Sequence, residues 1–145
     1  MCGIAGATAK NDQALVASAL NQLSHRGPDG QGIWCDPDHR CAIGCVRLAT
    51  TDVSLDGAQP VTSADGRFVL VFNGYIAGHR RALAALKKTG VSVGSHSDAE
   101  LVLHLLPHAI AVDGDVAGAL AQLSGQYALA LWDRDQAVLY LARDA

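Results

Sequence analysis

The chain has 145 residues, the size at which one hydrophobic core is the default. Half of the residues are hydrophobic but only 5% are aromatic, so the core is built from small and aliphatic side chains. A net charge of −3, with only 11 scattered lysines and arginines, excludes the basic footprint of a nucleic-acid binder or a polybasic membrane patch. The longest largely apolar stretch, Leu101–Val112, is interrupted by His104, Pro107 and His108 and is too short to span a bilayer. The opening residues MCGIAGATAKND lack the basic-then-apolar pattern of a secretion signal, so a cytoplasmic location is expected. In that reducing setting Cys2, Cys35, Cys41 and Cys45 are expected as free thiols. They form no Cys-x-x-Cys pair, and the histidines add no metal-ligand spacing, so neither a disulfide framework nor a metal site is expected.

In chain order, Cys2–Ala7 reads as a short buried strand. Asn11 or Asp12 is placed to cap a helix running to about Ser24, with Leu15, Val16, Ala19, Leu20 and Leu23 on one face. The turn formers Gly27-Pro28 and Asp29-Gly30 end it. Strands follow near Gly32–Cys35 and Cys41–Leu48, and Arg67–Phe72 (RFVLVF) is a further apolar strand ending at Asn73-Gly74. A helix is predicted from about Ala77 to Lys88. Another starts at Ser97, where Ser97-x-x-Glu100 has capping-box spacing, and Pro107 is expected to kink it or end it early. A short helix around Asp115–Leu123 precedes the strands Gly125–Trp132 and Ala137–Ala142, joined by a turn at Asp133–Gln136. These late strands are apolar on both faces, which suits a sheet covered by helices on one side and a second sheet on the other.

Cys2 carries the chemical signal because it directly follows the initiator methionine. Removal of Met1 would leave a cysteine with a free α-amine, whose pKa of about 7.7–8.0 makes it a usable base beside a thiol near 8.5. One residue would then supply both nucleophile and general base; without such activation a buried cysteine is an inert small hydrophobe. Asn73-Gly74 offers a side-chain amide beside an unencumbered backbone N–H, the donor pair an oxyanion needs, although Asn-Gly is equally a favoured turn dipeptide. Arg47 ends an apolar strand and Asp98 lies in the first turn of a capped helix. Together they suit the α-carboxylate and α-ammonium of a free amino acid; separately they read as a surface charge and a dipole-complementing helix start.

These pieces occur in a recognisable order. The strings MCGIAG (1–6), HRGPDGQG (25–32), RL (47–48), GAQP (57–60), NG (73–74), SDAE (97–100), GQYALALWD (125–133) and ARD (142–144) span essentially the whole chain. The chain resembles the glutaminase domain of class II glutamine amidotransferases, and within them the N-terminal half of asparagine synthetase-like enzymes. The resemblance implies an α+β, four-layer αββα N-terminal nucleophile hydrolase fold. It implies that Cys2 attacks the side-chain amide of glutamine to give a thioester, with Asn73 and Gly74 as the oxyanion hole. Arg47, with Leu48 beside it, would hold the substrate carboxylate and Asp98 its amine. In the family the ammonia passes through a tunnel to an ATP-using domain that makes an amide.

This chain departs from the family pattern at two site positions. Cys45 stands where a histidine is usual, and Tyr75 where a glutamate is usual. Family chains also continue beyond the ARD string with further strands and a synthetase domain. Residues 1–145 therefore read as one glutaminase-type domain that lacks its last strands and has no synthetase domain. A separate synthetase subunit, or a second copy of this chain, is expected to cover the apolar edge at Ala137–Ala142. No G-x-x-x-x-G-K-S/T loop is present, so no cofactor is expected here, and ATP and Mg are expected only on the partner. Two further readings stay open: a non-catalytic structural partner of a synthetase, and a hydrolase of another γ-glutamyl or primary amide.

Overall fold

The computed structural model describes residues 2–8, 12–48, 58–88, 97–112, 114–121 and 123–144. Strand β1 (Gly3–Ala7), helix α1 (Asp12–Gln22), a 3-10 turn (Ser24–Arg26), β2 (Gly30–Cys35) and β3 (Ala42–Arg47) form the first half. The second half holds β4 (Val61–Thr62), β5 (Phe68–Ile76), α2 (His79–Lys88), α3 (Asp98–Val112), α4 (Val116–Ala121), β6 (Gly125–Asp133) and β7 (Val138–Arg143). One sheet has the order β1-β3-β2 and the other β4-β5-β6-β7, with every pairing antiparallel.

Strand alternation sorts the side chains into three apolar layers. Ala42 and Val46 of β3 face Val16 and Leu20 of α1. Cys41, Ile43 and Cys45 point the other way and meet Val69, Val71, Ala130 and Trp132 across the gap between the sheets. Phe68, Leu70 and Phe72, on the far face of β5, pack against Leu101, Val102 and Leu106 of α3. The stack is thus helix, sheet, sheet, helix, the αββα arrangement that the family resemblance implies; of the two late strands read as apolar on both faces, β6 is buried, whereas β7 is an edge strand with Val138 and Leu141 exposed. Each fully buried Val or Leu in these layers contributes about 1.5–3 kcal/mol relative to exposure.

Three local expectations are corrected. Asn73-Gly74 does not turn: β5 runs through it to Ile76, because β6 pairs with it residue for residue as far as Gly125. The reversal falls at Ala77-Gly78, where Gly78 takes a φ of +73°. Pro107 does not end α3, which continues to Val112. Leu106, before the proline, is buried, and Ile110, after it, packs on the same cluster, so tertiary contacts on both sides outweigh the one lost backbone bond. The short strand β4 was not foreseen, and the last strand lies at Val138–Arg143. The predicted cap at Asn11 lies outside the described residues, as does Gly57 of the GAQP string. The cap at Ser97 forms, its Oγ accepting the Glu100 N–H at 3.2 Å.

At one end of the sandwich two buried carboxylates are tied down, Asp133 within the second sheet and Asp36 across the two sheets. Asp133, fully buried, accepts from Arg67 Nε (2.9 Å) and Nη2 (2.7 Å) and from the backbone N–H groups of Asp135 and Gln136. Burial would push this carboxyl up, but the guanidinium and the N–H donors outweigh it and hold it below its ordinary value. Asp36, from the β2–β3 turn, is held down in the same way by Arg40 and by the indole N–H of Trp132 from the other sheet. With folded-state values lowered, the stability these carboxylates contribute is present above about pH 4 and is lost as pH falls through the folded-state values. Replacing Arg67 leaves Asp133 as an uncompensated buried charge. Arg67→Ala is therefore expected to destabilise the fold, read as a lower urea midpoint at neutral pH, with the deficit shrinking below about pH 4.

Candidate active site

Side-chain parity brings the chemistry to the other end of the inter-sheet gap. Ile4 packs into the gap, so Cys2, two residues earlier, continues the same face. On β3 the face that carries Ile43 and Cys45 continues to Arg47, and on β5 the face that carries Val69 and Val71 continues to Asn73. Four of the sequence-predicted or family-divergent positions, Cys2, Cys45, Arg47 and Asn73, therefore open onto one end of one gap.

The contacts fix this arrangement. Asn73 Nδ2 donates to the Cys2 carbonyl at 3.0 Å, crossing from one sheet to the other. One amide hydrogen is used there, and the second is left for another acceptor. The Leu48 N–H donates to Cys2 Sγ at 3.4 Å, and the thiol faces the Leu48 carbonyl at 3.9 Å. Leu48 thus acts through its backbone, holding the sulfur in place.

Gly74 sits at a φ of +154°, and an added Cβ would run into the Gln126 carbonyl and come within 2.5 Å of Tyr127 Cα. Only glycine fits there. Arg47 is placed by its backbone: Gly27 of the HRGPDGQG string packs so closely that a Cβ would lie 2.5 Å from the Arg47 nitrogen. The Asp29 N–H donates to the Arg47 carbonyl at 3.0 Å.

Asp98 opens α3 beside the end of β5, where it takes the Ile76 backbone N–H. Its Oδ1 is buried and has no hydrogen-bond partner among the described residues, with His79 Nδ1 3.5 Å away. Burial pushes this carboxyl up, against the Ile76 N–H and His79. A buried acceptor without a donor suits a cationic ligand group.

A family model described as a glutamine amidotransferase domain matches residues 1–145. The chain belongs to this family. It is 33% identical over 129 residues to amidase chry2 of Gibberella zeae, covering 89% of this chain and 18% of that protein. It is 31% identical over 151 residues to a glutamine-hydrolysing asparagine synthetase of Bacillus subtilis, covering 99% and 22%. This amidotransferase domain thus spans about a fifth of the length of these curated relatives. A solved glutamine phosphoribosylpyrophosphate amidotransferase from B. subtilis, complexed with ADP and GMP, superposes with a TM-score of 0.80 at 19% identity. That match covers 99% of this chain and 37% of the other, and it bears on the fold. The domain is of class II, with the N-terminal nucleophile fold. No helix among the described residues is long and apolar enough to cross a membrane.

Both departures from the family pattern have a place in the amidotransferase site. Tyr75, where glutamate is usual, is exposed beside Gly74. Cys45 is buried and directs its thiol at the Gln59 carbonyl at 3.8 Å. Burial pushes the Cys45 thiol up to about 11, with Cys2 adding to the rise and Arg47 opposing it. Cys45 is therefore neutral where Cys2 would react. His79 and Gln59 are neighbours the sequence did not single out; Gln59 lies in the GAQP string, which drew attention only as a motif.

Iodoacetamide at about pH 8 is expected to alkylate Cys2 and spare Cys45, as read by peptide mass mapping. Because the folded-state value of Cys45 lies above the ordinary 9.0, the stability its neutral thiol contributes is intact below that pH and is lost as pH rises toward 11. The melting temperature is accordingly expected to fall more steeply across that window in wild type than in Cys45→Ala.

Proposed function

We propose that this domain hydrolyses the side-chain amide of glutamine through a thioester on Cys2. The ammonia is released to an ATP-dependent synthetase unit outside these residues, on a separate subunit or on the same polypeptide. The observation that carries the reading is the Asn73 amide reaching across the gap to the Cys2 carbonyl, with Gly74 next to it on β5. The family match and the length of the asparagine synthetase relatives support it.

The reading requires loss of Met1, so that Cys2 bears a free α-amine. That amine takes the thiol proton, and the sulfur attacks the amide carbon. The oxyanion is held by the second N–H of Asn73 Nδ2 and by the Gly74 N–H. The amine returns its proton to the leaving nitrogen, and ammonia departs as the carbon–nitrogen bond breaks. Water, deprotonated by the same amine, then opens the thioester to give glutamate and restore the thiol. Arg47 binds the substrate α-carboxylate, Asp98 Oδ1 accepts from its α-ammonium, and Leu48 holds the sulfur. ATP and Mg act only on the synthetase unit.

A diazoketone analogue of glutamine is expected to add once, at Cys2, to protein that has lost Met1, as read by intact mass. Cys2→Ala is expected to abolish ammonia release. Asn73→Ala is expected to lower kcat by about 10²–10³-fold, the effect of losing one oxyanion donor, whereas Asp98→Asn raises KM. Mature protein that takes no adduct, or ammonia release that survives Cys2→Ala, overturns the reading.

One observation favours a second reading, hydrolysis of a different primary carboxamide. Tyr75 replaces an acid with an exposed aromatic at the amine end of the pocket, and one relative is named an amidase. A kcat/KM for an amide lacking the α-ammonium that exceeds the value for glutamine selects it.

A further inference from the structure

The open edge of β5 depends on a residue outside the sheet. In the antiparallel ladder with β6, residues 68, 70, 72 and 74 turn their backbone N–H and C=O groups away from β6. Strand β4 covers that edge only opposite Val69 and Leu70. At Phe72 the side chain of Gln59 takes over: its Nε2 donates to the Phe72 carbonyl at 2.9 Å, and its Oε1 accepts the Phe72 N–H at 2.6 Å. The side-chain amide thus imitates one more residue of β4. The next group on this edge is the Gly74 N–H, flanked by Asn73.

The backbone of Gln59 lies against the other sheet. Its carbonyl lies so close to Gly32 of β2 that a Cβ there would overlap it, and it accepts the Cys45 thiol. Gln59 therefore spans from the sheet that leads to Cys2 to the strand that carries Asn73 and Gly74.

We infer that Gln59 is a positioning residue: by pairing with both backbone groups of Phe72 it sets the distance of the Asn73-Gly74 donor pair from Cys2. This rests on the glutaminase reading for its kinetic consequence but not for its structural one. A misplacement of about 1 Å at a reacting centre costs on the order of 10²-fold in rate. The groups that would bind the ends of the substrate, Arg47 and Asp98, lie on β3 and α3.

The test is Gln59→Met, which keeps the length and volume and removes both hydrogen bonds. Amide exchange by NMR is expected to accelerate at Phe72. The kcat for glutamine should fall at least tenfold, with KM and the rate of Cys2 alkylation by iodoacetamide within twofold of wild type. If Gln59→Met does not fold, Gln59→Asn, whose amide is one methylene short of both Phe72 groups, carries the same measurements. Unchanged exchange from Phe72 to Gly74 overturns the inference whatever the activity. So does a fall in kcat matched by equal changes in KM and alkylation, because that marks a general structural role. A wild-type chain that is processed and folded but inert toward glutamine overturns the glutaminase reading instead, and exchange at Phe72 then decides the role of Gln59.

Discussion

The hydrogen bond from Asn73 Nδ2 to the Cys2 carbonyl joins the two sheets at the end where the chemistry gathers. Its net worth is about 1 kcal/mol, and its importance lies in what must be true for it to form. Strand β1 must pair with β3 so that Gly3 faces Val46, and β5 must keep Asn73 on the same face as Val69 and Val71. A slip of one residue in either strand turns its functional side chain toward a helix. Strand β3 is buried on both faces, so hydrophobicity says little about its register. Small residues say more. A Cβ on Gly44 would stand 2.6 Å from the Gly32 carbonyl and 2.8 Å from Leu20, and one on Gly27 would strike the Arg47 backbone. These close approaches admit one alignment, and that alignment delivers Arg47 and Cys45 to the gap.

The two ends of the sandwich solve opposite problems. Around Phe68 and Asp133, buried carboxylates are saturated with donors from Arg67, Arg40, Trp132 and the following turn. Six residues along β5, a distance of roughly 20 Å, Asn73 keeps one amide N–H to spare beyond its bond to the Cys2 carbonyl. The saturated end and the apolar layers between hold the sheets at a set spacing, and the open end inherits that spacing. Removing an arginine at the far end therefore threatens the site only through global stability, whereas changes near Phe72 act on its geometry.

Much of this was legible in the sequence, for reasons that differ by element. The helix at Ser97 declared itself through a cap that the structure retains, and the doubly apolar strands implied a sheet buried on both sides. Asn73-Gly74 misled because its turn propensity is a local quantity, whereas its strand conformation comes from nine paired residues of β6. Pro107 misled in the same way, since packing on both sides of it is tertiary. Cys2 was conspicuous from its position alone. Leu48 acts through its backbone N–H, which no residue type encodes, and Gln59 works by substituting for a strand whose end was not foreseen. What escaped the sequence was main-chain geometry more than side-chain chemistry.

That geometry leaves polar groups with capacity to spare at the open end. Asp98 Oδ1 is buried without a hydrogen-bond partner among the described residues, and Asn73 has an N–H to spare. The Gly74 N–H points to an edge where neither β4 nor Gln59 extends. A buried acceptor left without a donor, as Asp98 Oδ1 is among the described residues, costs on the order of 1–3 kcal/mol. In the proposed reaction another molecule completes the set. An α-ammonium at Asp98 and a developing oxyanion at Asn73-Gly74 would do so. In that proposal the donors at Asn73-Gly74 are satisfied fully only as charge develops on the reacting oxygen, which is the condition for lowering a barrier rather than merely binding. The neutral, deeply buried Cys45 fits the same logic. It fills a family histidine's position and adds no charge beside Cys2.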